Sequence, residues 1–327
     1  MEWSHDLLDE GERTLFARLA VFAGSFSLEA AEEVVGADLD SISSLVDKSL
    51  LRQTREGRFF MLETISEFAL ERLHERGEAD RFRTRHAEWT LALAERVGPA
   101  LEGGDQTLWL DRLEFERDNI RSALDAFRES GRDRERLRLA TALWRLWFMR
   151  GPAAEGRAAL ERALDAAPRD AVAERLTALR ALASFAYGRG AWREAAELHE
   201  RALELSRRVG DRRAEALALF GLYAAATARR ELALAKSYAD KAAAVAEEVD
   251  DARTAGIAAS SLGHLALHEQ DYARARMLFE QSIAVLAGDE FGLVVNLGNL
   301  ALTALRLGDL DEAAERIGEP RPRARPA

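Results

Sequence analysis

The closest approach to a reactive constellation in this chain is a pair of histidines. His264 and His268 stand at i and i+4, so on a helix both imidazoles leave from one face, a spacing able to ligate a metal ion. A hydrolytic zinc helix needs a Glu directly after the first His, and Leu265-Ala266-Leu267 fills the interval instead. The spacing supplies no third ligand. Cysteine is absent, which excludes disulfides, thiolate zinc sites and a Cys nucleophile. Neither Ser-x-x-Lys nor Gly-x-Ser-x-Gly occurs to activate a serine for acyl transfer. A phosphate-cradling Gly-x-x-x-x-Gly-Lys-Ser/Thr loop is also missing: the only lysines are Lys48, Lys236 and Lys241, and none follows a Gly-rich turn. Carboxylates are plentiful, but they alternate with arginines along helix surfaces, where they serve solubility and i,i+4 pairing. The expectation is a protein that is not an enzyme and carries no metal or cofactor.

The bulk properties agree. With 46 Lys and Arg against 57 Asp and Glu, 46 − 57 gives a net charge of −11, which argues against a general grip on nucleic acid or on an anionic membrane. The longest apolar run, Ala216 to Ala226, is too short to span a bilayer, and Met1-Glu2-Trp3-Ser4-His5-Asp6 lacks the basic-then-apolar pattern of a signal peptide. A soluble cytoplasmic protein is expected. At 327 residues the chain has room for two or three domains.

The elements that would position any site are set by a repeat. A small residue recurs at Gly156, Ala195, Ala235, Ala275 and Ala313, at intervals of 39, 40, 40 and 38. The fourth copy reads Leu262-Gly263 … Asp271-Tyr272-Ala273-Arg274-Ala275 … Phe279; the second, Leu182-Ala183 … Gly190-Ala191-Trp192 … Ala195; the fifth, Asn299-Leu300-Ala301 … Gly308-Asp309-Leu310 … Ala313. Each copy predicts an antiparallel helix pair that cannot bury its apolar face alone, so neighbours stack into a solenoid. The unit resembles the tetratricopeptide repeat (TPR), although that repeat is about 34 residues long. The surplus is expected to lengthen the second helix. The repeat register places Arg145 and Phe148 of the first copy, Arg180 and Tyr187 of the second, Phe220 of the third, His264 of the fourth and Asn299 of the fifth on the inward groove. Arg and aromatic residues are enriched where partners bind, while Phe148 and Phe220 would also suit the core between repeats.

The N-terminal 80 residues follow a different plan. Leu7, Leu8, Leu15, Phe16, Leu19 and Phe22 share a helical face; Ser27 caps a second helix that Gly36 ends; Asp38 or Asp40 caps a third carrying Ile42, Leu45 and Val46. Leu50 to Thr54 and Arg58 to Met61 predict two short strands around Arg55-Glu56-Gly57, followed by a helix from Thr64 to Arg76. Three helices and a hairpin make a winged helix. Duplex DNA presents one charge per about 1.7 Å of axis, and the helix that would enter its major groove holds Asp38, Asp40 and Asp47 against Lys48. Direct DNA binding is therefore disfavoured.

Between the two lie a helix from Arg81 to about Val97 and, after a break at Gly103-Gly104, a second that holds Trp109 to Leu124. The first opens on the basic cluster Arg81, Arg83, Arg85 and His86, expected on a solvated face. The second is Trp109-Leu110-Asp111-Arg112-Leu113-Glu114-Phe115-Glu116-Arg117-Asp118-Asn119-Ile120, with Leu110, Leu113, Ile120, Leu124 and Phe127 inward and Glu116, Asp118 and Asn119 outward.

These strings, with Leu19-Ala20-Val21-Phe22-Ala23-Gly24-Ser25-Phe26, Leu45-Val46-Asp47-Lys48-Ser49-Leu50-Leu51 and Met61-Leu62-Glu63-Thr64-Ile65-Ser66-Glu67-Phe68-Ala69, resemble the C-terminal part of bacterial signal-transduction ATPases with numerous domains (STAND regulators) of the LuxR or AfsR kind. The resemblance covers Trp3 to about Ile317. It implies a winged helix that follows a P-loop NTPase domain and relays to it, and a repeat sensor for a protein or small inducer. In the wider class a Met-His-Asp motif ends the wing, its His contacting the bound diphosphate. Met61-Leu62-Glu63 stands there, so Leu62 replaces the nucleotide-sensing His and cannot donate to phosphate.

The reading at this stage is a mainly α chain: a winged-helix domain over 1–80, a helical linker over 81–138, a TPR-like solenoid over 139–317 and a disordered Pro/Arg tail over 318–327. Its expected function is a sensor and interaction module lacking the P-loop domain, a fragment or one half of a split gene, working with an NTPase domain in cis or trans. The alternative is a DNA-binding regulator acting through its winged helix.

Overall fold

The computed structural model describes residues 5, 7–102, 105–249, 251–286 and 290–311, with backbone alone at 102 and 290–292. Ala313, Ile317 and the Pro/Arg stretch 318–327 lie outside the described residues. The chain forms two compact units, one of residues up to 98 together with 109–146, the other of 99–108 with the residues from 147 on.

The first unit opens with α1 (Glu10–Leu19), started by a capping box in which Asp9 Oδ1 accepts from the Glu12 amide at 2.8 Å while the Asp9 amide donates to Glu12 at 2.9 Å. α2 (Leu28–Val35) begins at Ser27, whose hydroxyl accepts from the Ala30 amide, and ends at Gly36 in the left-handed region. α3 (Leu39–Asp47) is capped by Asp38, which accepts from the Ser41 amide at 2.7 Å; of the two aspartates the spacing allowed, Asp38 takes the role. The hairpin pairs β1 (Arg52–Gln53) with β2 (Phe59–Phe60) antiparallel, Arg52 opposite Phe60. Phe26 adds a bridge to Phe59 through two 2.8 Å bonds, tying the α1–α2 connection to the wing. α4 (Glu63–Glu75) closes the motif. Phe16, Leu19, Phe26, Ile42, Leu45, Leu51 and Leu73 are buried in its core.

The same core takes in Ala79 and Phe82 of α5 (Ala79–Val97). With α6 (Gln106–Glu114), α7 (Arg117–Glu129) and α8 (Asp133–Ala142), this segment supplies the buried side chains Leu110, Leu113, Ile120, Phe127 and Leu137. Three residues depart from the amphipathic reading. Glu116 and Asn119, expected to face away, are buried, and so is His86, expected on a solvated basic face. Their reason is polar, and belongs to the site described below.

The second unit is built of helix pairs. After α9 (Trp144–Arg150) and α10 (Ala153–Ala166), the pairs are α11 (Val172–Gly188) with α12 (Trp192–Val209), α13 (Arg212–Ala228) with α14 (Leu232–Glu247), and α15 (Ala252–His268) with α16 (Tyr272–Leu286), followed by α17 (Glu290–Leu307). The three complete pairs run 17 and 18, 17 and 16, and 17 and 15 residues, so both helices carry the surplus over the usual repeat rather than the second alone.

The turn within each copy is the same device. A residue with positive φ stands at Gly151, Gly190, Arg230, Gln270 and Gly308, each five positions before the recurring small residue. In the second to fourth copies, the next amide reaches back to the first helix, Ala191 to the Ala186 carbonyl, Glu231 to Ala226 and Asp271 to Ala266, all at 2.9 Å. The chain reverses abruptly, and the second helix starts close against the first. Ala195, Ala235 and Ala275 are buried at that contact. Close approach is strictest where glycine meets a ring: a Cβ on Gly156 would fall 2.3 Å from Trp147, one on Gly221 2.2 Å from His199, and one on Gly263 2.8 Å from Phe279.

Candidate functional site

Two polar arrangements stand out, one in each unit. The first lies beneath the wing. Arg58 sits just after the hairpin turn and points inward, donating through Nε to Ser25 Oγ at 2.8 Å and through a terminal nitrogen to the Ser25 carbonyl at 2.7 Å. It also meets Glu116 Oε1 at 2.6 Å. Asn119 completes the cluster: its amide donates to Glu116 Oε2 at 2.7 Å and to the Ser25 carbonyl at 2.9 Å, and its oxygen accepts from the Ala23 amide at 3.0 Å. This is why Glu116 and Asn119 turn in: a buried guanidinium needs a carboxylate, and the Ala23–Ser25 backbone needs partners. His86 stands edge-on to Phe22 at 5.3 Å. Burial lowers its imidazole to about 4, a hydrogen bond with Asn119 opposing, so it is neutral near pH 7.

Around this cluster the surface expected to meet DNA stays acidic. The Lys48 ammonium is committed to Glu12, which also accepts from Ser44 Oγ at 2.5 Å. Those bonds from Lys48 and Ser44, with that to the Asp9 amide, hold the Glu12 carboxyl down at about 2. Leu62 is 37% exposed and stands at the N-terminal edge of α4 without a side-chain cap bond.

In the repeats the seven residues assigned to the groove separate. Arg145 belongs to the first unit, where it is nearly buried with its guanidinium 4.8 Å over the Trp144 ring. Phe220, only 5% exposed, packs with Ala216, Leu219, Ala242 and Val245, so it is core and not offered to a partner. Phe148 stands edge-on to Phe185 at 5.6 Å, also a packing contact. Tyr187 is 41% exposed and lies edge-on to Trp192 at 4.6 Å. His264 and Asn299, from the first helices of adjacent copies, are brought together by a short contact between His264 Nε2 and Asn299 Nδ2, and the imidazole also rests against Phe279 at 5.4 Å. Among the described residues no three His, Cys, Asp or Glu are grouped to hold a metal ion.

Arg180 lies in a cleft of about 230 Å³ formed by α11, α12 and α13, with the start of α15 at its edge. Its polar lining is Thr177, Arg180, His199, Asp211, Arg213 and Arg253. Sequence periodicity missed His199, which belongs to a second helix. The available signal was Gly221, a helix-interior glycine with no turn to make, whose missing Cβ accommodates the His199 ring.

Residues 8–74 match the family described as a winged helix-turn-helix domain. The N-terminal domain is a winged helix-turn-helix. A relative from Mycobacterium tuberculosis, named as an HTH-type transcriptional regulator, is 42% identical over 166 residues, which are 48% of this chain and 19% of the relative. A Mycobacterium bovis protein of the same naming matches over the same share. The chain thus spans about a fifth of the length of these relatives. The solved structure of a STAND protein with a tetratricopeptide repeat sensor, from Pyrococcus horikoshii, aligns with 95% of this chain and 50% of its own, at a TM-score of 0.53 and 17% identity. At that identity the likeness is one of fold: a winged helix-turn-helix followed by TPR-like helix pairs. Among the described residues no helix is long and apolar enough to cross a membrane.

Proposed function

We propose that this chain is a non-enzymatic sensor and interaction module of a transcriptional regulator. The first helices of its repeats hold a protein partner or a small inducer, and the winged helix-turn-helix relays the bound state to an NTPase domain in the same or another chain. The observation that carries this reading lies on the repeats, where Arg180, Tyr187, His264 and Asn299 keep polar or aromatic groups at least partly open on the first helices. Arg and Tyr so placed are the side chains that dominate partner binding. The names of the mycobacterial relatives support a regulatory role, and the fold of the archaeal STAND protein supports a repeat sensor beside an ATPase.

Arg180→Ala combined with Tyr187→Ala tests it. The variant should fold, as judged by an unchanged circular dichroism spectrum, and lose the partner that the native chain cross-links in its host. Unchanged capture by the folded variant would sink the groove assignment. The alternative, direct DNA binding through α3, is disfavoured by Asp38, Asp40 and Asp47 and by the commitment of Lys48 to Glu12. A gel shift at physiological salt should show no retarded band.

A further inference from the structure

The cleft that holds Arg180 has a chemistry of its own. Three arginines line it, Arg180 from α11, Arg213 from α13 and Arg253 from α15, against one acidic residue, Asp211. Asp211 is spent as the N-cap of α13, accepting from the Ala214 amide at 2.9 Å, and Arg213 Nε reaches Asp251 at 3.2 Å, the N-cap of α15. Among the described side chains that line the cleft, three are cationic and one anionic, in a chain whose net charge is −11. Two helix N-termini, those of α13 and α15, add their partial positive charge to the same region. His199 lines the same cleft. Its Nδ1 is shut off from solvent and has no hydrogen-bond partner among the described residues. Burial, and then the charge of Arg180, lower its imidazole to about 4, so it is a neutral ring beside a guanidinium. A buried ring nitrogen without a partner leaves hydrogen-bonding capacity unused.

Size narrows the occupant. At about 230 Å³ the cleft is smaller than the roughly 300–1,000 Å³ that takes a whole drug-sized ligand. It is large enough for the charged end of one. We propose that this cleft binds the anionic group, phosphate or carboxylate, of the effector that the repeats sense, with Arg180, Arg213 and Arg253 supplying charge and His199 one further hydrogen bond. The proposal rests on the repeat-sensor reading and adds the class of ligand. Arginine forks match planar carboxylate and phosphate oxygens two bonds at a time, and an arriving anion competes with Asp251 for Arg213.

The experiment is calorimetric titration of the full chain with inorganic phosphate and, separately, acetate, each balanced against chloride at equal ionic strength. Saturable binding of either anion is expected, and which one binds more tightly distinguishes a phosphorylated from a carboxylate effector. Arg180→Gln with Arg213→Gln should weaken that binding about tenfold or more, with the circular dichroism spectrum unchanged. Arg276→Gln, at an exposed arginine outside the cleft, should leave it as it was. Absence of saturation by both anions overturns the proposal, and so does equal binding by the Arg180/Arg213 variant. Tyr187→Ala separates the two readings, because it should reduce partner capture while sparing anion binding.

Discussion

Arg58 of the wing and Glu116, the N-cap residue of α7, form an ion pair at 2.6 Å with their side chains only 9% and 3% exposed. The two residues are 58 positions apart, and the pair locks the winged helix-turn-helix to the helices that follow it. Removing one partner leaves the other charged and buried, at a cost of about 3–5 kcal/mol. Arg58→Met and Glu116→Gln should each lower the urea midpoint accordingly. The double variant Arg58→Met/Glu116→Leu should cost less than the sum of the single variants, since neither charge remains to be stranded. Additive losses would mean that the two groups do not act as a pair.

Glycines inside the repeat helices should divide by what faces them. Gly221→Ala drives a methyl into the His199 ring, and overpacking of this kind costs about 1–3 kcal/mol. Gly298→Ala meets nothing within 4 Å and should gain up to about 1 kcal/mol from helix propensity. Thermal melts of the two variants should therefore move in opposite directions.

The intra-repeat turns give a second pair of opposites. Gly190 has φ near 78° and room for a methyl, the nearest atom being Trp192 at 3.7 Å, so Gly190→Ala tests backbone strain alone and should cost about 1–2 kcal/mol. Arg230 and Gln270 hold the same conformation with a Cβ present. Arg230→Gly and Gln270→Gly should be neutral or stabilising by up to about 1 kcal/mol, the relieved strain set against the greater entropy of the unfolded chain. Clear destabilisation by either would show that the side chain, and not the turn, matters there.

His86 and His199 should make stability depend on pH between 4 and 6.5. Burial lowers each from 6.5 to about 4, so in that window the unfolded chain binds protons that the folded one refuses. Their contribution is complete above pH 6.5 and is lost progressively as pH falls toward 4, with a limiting slope of about 1.4 kcal/mol per pH unit for each group. Imidazole proton shifts followed by NMR should give midpoints near 4 for both. Midpoints near 6.5 would contradict the buried placement.

Much of this architecture is legible in the sequence. The small-residue register from Gly156 to Ala275 foretold helix pairs, because one close contact per copy demands one small side chain per copy. Ser27, Gly36 and the Gly57 turn marked the winged helix through local backbone chemistry. Amphipathicity misplaced Glu116, Asn119 and His86, since a period that counts polar residues as outward has no means of recognising a buried polar cluster. It left Phe220 open between groove and core, and packing against Ala216, Leu219, Ala242 and Val245 decides for the core.

The sequence by itself determined the local plan: where helices start and stop, that a hairpin interrupts them near Gly57, and that the later helices repeat about every 40 residues. These follow from interactions within a few residues, or from a pattern repeated often enough to be counted. Only the tertiary structure decided which polar groups meet. Arg58 with Glu116, His264 with Asn299, and the arginines around His199 are pairings between residues far apart in the chain, and the energy of a buried charge depends on what folding brings within about 4 Å of it.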